Sequence, residues 1–156
     1  MKFKNVVGTM LICVFCITAF SGLGIAEESA DAKPSLYDRL GGLPAISVVV
    51  SDFLDVMEPD SILNMNPAIE KSRYAVPKEY LKYQVTAMVC QATGGPCQYT
   101  GRNMAESHAH LNITEAEWDR MVELVTSVFA KHNVPEAEVN ELMAIVGTLK
   151  KDIVTK

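Results

Sequence analysis

The chain has 156 residues, 49% of them hydrophobic and 21% charged, with a formal net charge of −5. That length suits one domain with a short targeting piece, and the apolar share excludes wholesale disorder. Lysines and arginines are scattered among more numerous acids, so no basic patch offers itself to nucleic acid.

The first segment has the pattern of a secretory signal. Lys2 and Lys4 are followed by a run from Val6 to Phe20 that is apolar except for Gly8, Thr9 and Thr18. Gly24 and Ala26 then occupy the two positions a signal peptidase reads, which places cleavage after Ala26. The stretch from Val6 to Ala26 is also just long enough for an uncleaved anchor. The small-residue site and the polar EESADAK that follows favour removal. The domain plan is therefore a signal peptide over 1–26, a linker over 27–34 and one folded domain over 35–156. Losing Lys2 and Lys4 takes the 14 basic residues to 12 against 19 acidic, a net charge of −7. The product is expected to be exported, in the periplasm or beyond, with no stable membrane association.

Two of the four cysteines, Cys13 and Cys16, leave with the signal, so only Cys90 and Cys97 remain. In an oxidising compartment they have two readings: a bridge across the turn between them, or a buried free thiol at Cys90. No CxxCH haem-attachment motif is present, and three histidines (His108, His110, His132) leave no ordinary zinc-site spacing.

In chain order, SLYDRL at 35–40 is a short segment ended by Gly41-Gly42. Ile46, Val49, Val50, Phe53, Leu54 and Met57 recur at helical spacing and predict a helix over 44–57, outweighing the β-branched Val48-Val49-Val50. Residues 58–77 hold three prolines and two asparagines and read as irregular, with a short helix about 68–73. Pro77 opens a helix with Leu81, Val85, Met88 and Val89 on one face, stopped by Gly94-Gly95-Pro96. A loop and a helix about 102–109 follow. Thr114 and Glu117 have capping-box spacing, starting a helix over 115–131 with Trp118, Met121, Val122, Val125 and Phe129 inward. Val134-Pro135 starts the last helix, with Val139, Leu142, Met143, Val146, Leu149 and Ile153 inward. No β pattern competes, so the fold class is all-α.

On spacing alone a histidine such as His108 is more often a surface or core residue than a ligand. Several pieces, in order, carry more weight: SLYDRLGG at 35–42, SDFL at 51–54, ATGGP at 92–96, YTGR-M at 99–104 and HAHLNIT at 108–114. With the tail NVPEAEVNELMAIVGTLKKDIV at 133–154, they resemble the group I truncated haemoglobins over nearly all of the mature chain. The resemblance implies a two-over-two helical sandwich around non-covalent haem b. In that family the iron-binding histidine lies nine residues after the tyrosine of YTG, which here is His108. His110, two residues on, turns away from that face, and His132 reads as a cation at a helix C-terminus.

The distal side departs from the family. A tyrosine usually follows the phenylalanine of the SDF-like helix, and here Leu54 follows Phe53. A glutamine often stands nine residues before the first glycine of GGP, and here Val85 stands there, with Gln84 beside it and Leu81 a turn earlier. The usual tyrosine–glutamine pair hydrogen-bonds the bound gas, and the loss of both removes charge-assisted stabilisation. Gln84 is a replacement donor or a plain polar residue at the solvent edge. Tyr74, Tyr80 and Tyr83 are further donors or packing residues. The 58–77 segment is also longer than usual for the family. The implied pocket is lined by Phe53, Leu54, Leu81, Gln84, Val85, Met88, Met104, Leu111, Ile113 and Val146, with His108 on the metal. Core packing alone explains most of the apolar ones, and Met104 is a gap filler rather than a ligand.

The function implied is binding of O2, NO or CO at a pentacoordinate iron, with a reductase as an accessory partner. Two alternatives come from other classes: a haem redox or electron-transfer protein, or a nitric-oxide-detoxifying dioxygenase, which the missing tyrosine disfavours. Whether the chain is an enzyme is left open by the sequence. A helical interaction module that has lost haem is the remaining reading.

Overall fold

The computed structural model describes residues 33–156. The signal expected over 1–26, its Cys13 and Cys16, and most of the linker lie outside the described residues.

A single turn, α1 (Leu36–Arg39), is set by a capping box in which the Ser35 side chain accepts the Asp38 N–H at 3.1 Å and the Asp38 carboxylate accepts the Ser35 N–H in return. Gly41, at φ +89°, then reverses the chain in a backbone region that a Cβ disfavours. Helix α2 (Gly42–Met57) starts two residues before the expected Pro44, which its first turn accommodates because that N–H has no intrahelical acceptor.

The segment that reads as irregular is ordered by side-chain caps. Asp60 Oδ1 accepts the N–H groups of Ile62 and Leu63 at 3.1 and 3.0 Å, closing a 3-10 turn over Leu63–Met65. Asn66 Oδ1 accepts the Ala68 N–H at 3.0 Å and starts α3 (Pro67–Ser72), with Pro67 at its first position.

Helix α4 (Lys78–Ala92) ends at Thr93, and Gly94 follows at φ +89°. Of the two readings of the cysteines the bridge is the one observed: Cys90 and Cys97 are disulfide-bonded, with Cα atoms 5.8 Å apart. Cys90 is also fully buried. Helix α5 (Met104–His108), shorter than the expected 102–109, is capped by Asn103, whose Oδ1 accepts the Glu106 N–H at 2.8 Å. A 3-10 turn over Ala109–Leu111 follows, and Asn112 ends it in the left-handed region at φ +51°. Helix α6 (Glu115–Lys131) carries the Thr114–Glu117 capping box that the spacing predicts, and α7 (Glu136–Ile153) follows Pro135.

Helices α4 and α6 pack on α2, while α1 and α5 pack on α7. The core is Leu36, Val125, Phe129 and Leu142, with Val49, Phe53, Val89 and Met143 among the residues packed against it. Arg39 ties α1 to α7 through Glu138 at 2.8 Å and through Glu141. Past α7, Val154 pairs with Ile113 in an isolated parallel bridge, and the Ile113 carbonyl accepts the Thr155 N–H at 2.9 Å. The all-helical class expected from periodicity is observed, and no described helix is long and apolar enough to cross a membrane.

Candidate functional site

His108 is the last residue of a five-residue helix, so its ring stands at an end rather than along a packed face. Its Nδ1 lies 2.9 Å from the Met104 carbonyl oxygen. A carbonyl only accepts, so Nδ1 carries the proton and, in the neutral ring, Nε2 keeps its lone pair. Burial holds the imidazole pKa below its ordinary value, and the nearby Arg102 and His110 act in the same direction, against the Met104 hydrogen bond. A backbone acceptor that fixes the tautomer in this way is the usual support for an imidazole that binds metal.

The loop before it is shaped by Tyr99. The Tyr99 N–H donates to Gln91 Oε1 at 2.6 Å, and its hydroxyl donates to the Arg102 carbonyl at 2.7 Å. Burial raises the phenol pKa. Gly101 lies so close beneath the ring that a Cβ there would fall on the Tyr99 hydroxyl.

The other two histidines stand elsewhere. His110 is exposed, and His132, just past the end of α6, sets Nε2 2.6 Å from Asp52 Oδ2, which Lys131 also contacts at 2.7 Å. Both agree with the positions expected of them, at the rim and at a helix C-terminus. Among the described residues no three His, Cys, Asp or Glu side chains cluster to hold a bare ion.

The apolar candidates behave as a group. Leu54, Val85, Met88, Met104, Leu111 and Val146 are only half-buried, and none of them packs against the core cluster. Leu81 is 42% exposed. Phe53 does pack against the core, so its ring serves that purpose too. Helix α4 packs on α2 and α5 on α7, and α4 and α5 make no extensive contact with each other. These apolar side chains lie on α2, α4, α5 and α7 and in the turn after α5, and large apolar side chains left partly open in this way are available to cover a bound apolar group. Ile113 differs, being buried with its backbone engaged by the C-terminal tail. Gln84 is buried rather than at a solvent edge, and its Nε2 lies 2.8 Å from the Tyr80 hydroxyl.

Two residues that the sequence reading did not single out fasten the 58–77 segment, one to the turn after His108 and the other to α6. Asn66 donates from Nδ2 to the Leu111 carbonyl at 2.9 Å, three residues past His108. Asp60 accepts Arg120 Nε and Nη2 at 3.1 and 2.8 Å. The Asn66-Pro67 pair is itself a helix-start signal that would have located the first of them.

The model of the bacterial-like globin family matches residues 35–155. A group 1 truncated haemoglobin of a Nostoc species is 30% identical over 122 residues, covering 78% of this chain and 98% of its own length. The corresponding Tetrahymena pyriformis protein is 25% identical over 125 residues, covering 80% and 98%. Its solved iron(III) form superposes with a TM-score of 0.69 at 24% identity, over 79% of this chain and all of that one. A Synechococcus 2/2 haemoglobin with covalently attached haem superposes with a TM-score of 0.68 at 22% identity, over the same shares.

Haem b is the standard cofactor of globins. The residues present fit it: one imidazole with its Nδ1 proton committed, half-open apolar side chains on α2, α4, α5 and α7, and no rival cluster of charged ligands among the described residues. Haem would bring its own nitrogen donors to the iron, so that the chain would need to supply only the His108 imidazole. The chain belongs to the bacterial-like globins and, within them, to the group 1 truncated haemoglobins.

Proposed function

We propose that the chain is an exported haem b protein that binds a diatomic gas at an iron held by His108. The observation that carries the ligand assignment is the 2.9 Å contact between His108 Nδ1 and the Met104 carbonyl, which leaves Nε2 as the free donor atom. Haem supplies an iron with an open position for O2, NO or CO. The chain's own residues do the rest. Asn103 and the Met104 carbonyl orient the imidazole, and Tyr99 holds the loop that leads to it. Leu54, Leu81, Val85, Met88, Met104 and Val146 offer an apolar lining that excludes water from the cofactor and slows its loss.

Export rests on Lys2 and Lys4, the apolar run to Phe20 and the small residues ending at Ala26. The Cys90–Cys97 bridge supports it, because such bonds persist in oxidising compartments.

Absorption spectra of the purified protein, ferric and ferrous, with and without CO, test the reading. The wild type should show a Soret band and a five-coordinate ferrous state that takes up CO. His108→Ala should abolish stable haem uptake, whereas His110→Ala should leave the ferrous–CO spectrum nearly unchanged. Equal loss in both variants would remove His108 as the ligand.

A further inference from the structure

The loop from Gln98 to Asn103, which leads into α5 and His108, has little to hold it in place. None of residues 98–103 is buried, and none lies in a helix or strand. A loop without buried apolar side chains opens locally at small free-energy cost unless other bonds tie it down. Helix α5 packs on α7 and makes no extensive contact with α4, so the start of the loop is set by its own ties to α4. Among the described residues two bonds join residues 97–103 to that helix. One is the hydrogen bond from the Tyr99 N–H to Gln91 Oε1 at 2.6 Å, whose acceptor is on an exposed residue where water competes. The other is the Cys90–Cys97 disulfide, and it is covalent.

The two cysteines sit in unlike places. Cys90 is fully buried, with the Gly95 backbone close against its Sγ. Cys97 is half-buried and lines an open groove between α2 and α4, with Leu43, Pro44, Thr86 and Ala87. A thiol or disulfide arriving from solvent therefore meets Cys97 first. Beyond Cys97, each hold is passed along the backbone by a short bond. The Tyr99 hydroxyl donates to the Arg102 carbonyl at 2.7 Å, and the Ser107 hydroxyl donates to the Asn103 carbonyl at 2.7 Å. The Met104 carbonyl then accepts from His108 Nδ1 at 2.9 Å.

We propose that Cys97 is a positioning residue for His108, and that its bond to Cys90 couples the hold on haem to the redox state of the two thiols. This rests on the haem-binding reading above. Closure is an exchange with a disulfide-bearing oxidant. The Cys97 thiolate attacks one oxidant sulfur, and the other leaves as a thiolate. The Cys90 thiolate then attacks Cys97 Sγ and expels the second oxidant sulfur. The oxidant gains two electrons and the two protons that the cysteines lose, and the chain gains one S–S bond. With the bond closed the loop is fixed and the imidazole stays aimed. With it open the loop samples other positions, and the imidazole strays from the iron more often. In a chain exported as proposed, the hold on haem tightens on arrival in an oxidising compartment.

The test reads amide hydrogen exchange in the haem-free and haem-loaded chain, together with haem transfer to excess apomyoglobin. In Cys97→Ser, amides of residues 98–108 should exchange faster than in the wild type while those of α2 and α6 do not change. Haem loss should quicken on the order of tenfold, the scale seen when the support of a metal-binding histidine is removed. The iron–histidine stretch in the ferrous resonance Raman spectrum should shift as well. Wild type opened with dithiothreitol should match the variant, and oxidised glutathione should restore the wild type alone. That comparison decides the matter if Cys97→Ser does not fold. Unchanged exchange and haem loss on opening the bridge, or exchange that rises evenly over α2, α6 and the loop, overturns the proposal alone. A wild type that takes up no haem overturns it together with the reading beneath it.

Discussion

Asp60 and Arg120 are sixty residues apart and joined side chain to side chain, Arg120 Nε and Nη2 both meeting one Asp60 oxygen at 3.1 and 2.8 Å. The other Asp60 oxygen caps the 3-10 turn through Ile62 and Leu63. One buried carboxylate thus fastens the 58–77 segment to α6 and shapes that segment's first turn. Asp60→Ala should cost about 2–4 kcal/mol, because it removes a cap and a charged hydrogen bond together and strands the guanidinium. Urea unfolding of the variant against the wild type measures this. A loss below about 1 kcal/mol would show the pair to be incidental.

The same carboxylate gives the protein an acid limb. The Asp60 pKa is lowered from 3.8, first by the hydrogen bond to Arg120, and those of Asp52 and Asp55 are lowered by their lysine partners. A depressed folded-state pKa contributes stability that is present above the unfolded value and lost as pH falls through the folded one. Stability should therefore hold down to about pH 4 and fall below it. Asp60→Asn should flatten that fall, which unfolding midpoints at pH 6, 4 and 3 would show. A wild-type midpoint that drops steeply between pH 6 and 5 would place the titration on other groups.

Gly95 has no room for a side chain. A Cβ there would meet the Tyr37 ring and come within 2.7 Å of Cys90 Sγ, whereas a Cβ on Gly147, inside α7, would meet nothing within 4 Å. Gly95→Ala should destabilise by about 1–3 kcal/mol through overpacking. Gly147→Ala should stabilise by about 0.5–1 kcal/mol through helix propensity. Thermal melts of the two variants should move in opposite directions.

Reduction of the Cys90–Cys97 bridge frees a loop only seven positions long. The chain-entropy relation gives about 2–3 kcal/mol for a loop of that size. Denaturant midpoints with and without reductant measure the loss. Protein exported to an oxidising compartment and alkylated without reduction should show both thiols blocked in its mass spectrum.

Much of this was legible because it is local. The Thr114–Glu117 spacing located the start of α6, and Gly94-Gly95-Pro96 located the end of α4, since caps and breakers act within one turn. His108 stood out through a motif running from Tyr99 to the histidine, and the backbone carbonyl that holds its ring lies only four residues back. The 58–77 segment was not legible, because its order comes from partners at Leu111 and Arg120 that no local pattern announces. Gln84 was ambiguous for a related reason. Periodicity places it between two faces, and only the hydroxyl of Tyr80 and the closure around it decide that it is inside.

The bridge between Ile113 and Val154 bears on the order in which the molecule assembles. Helix α4 can dock on α2 from residues only about thirty positions upstream, so that half is built from near neighbours. The segment carrying His108 packs on α7, and its trailing end is pinned by residues about forty positions further along the chain. Closing that longer span comes at a greater entropic cost, so the half with the imidazole should lock last. A cofactor would then be taken up by a nearly finished fold whose His108 side is still ajar, and amide protection in pulse-labelled refolding should appear in α2 and α4 before Ile113.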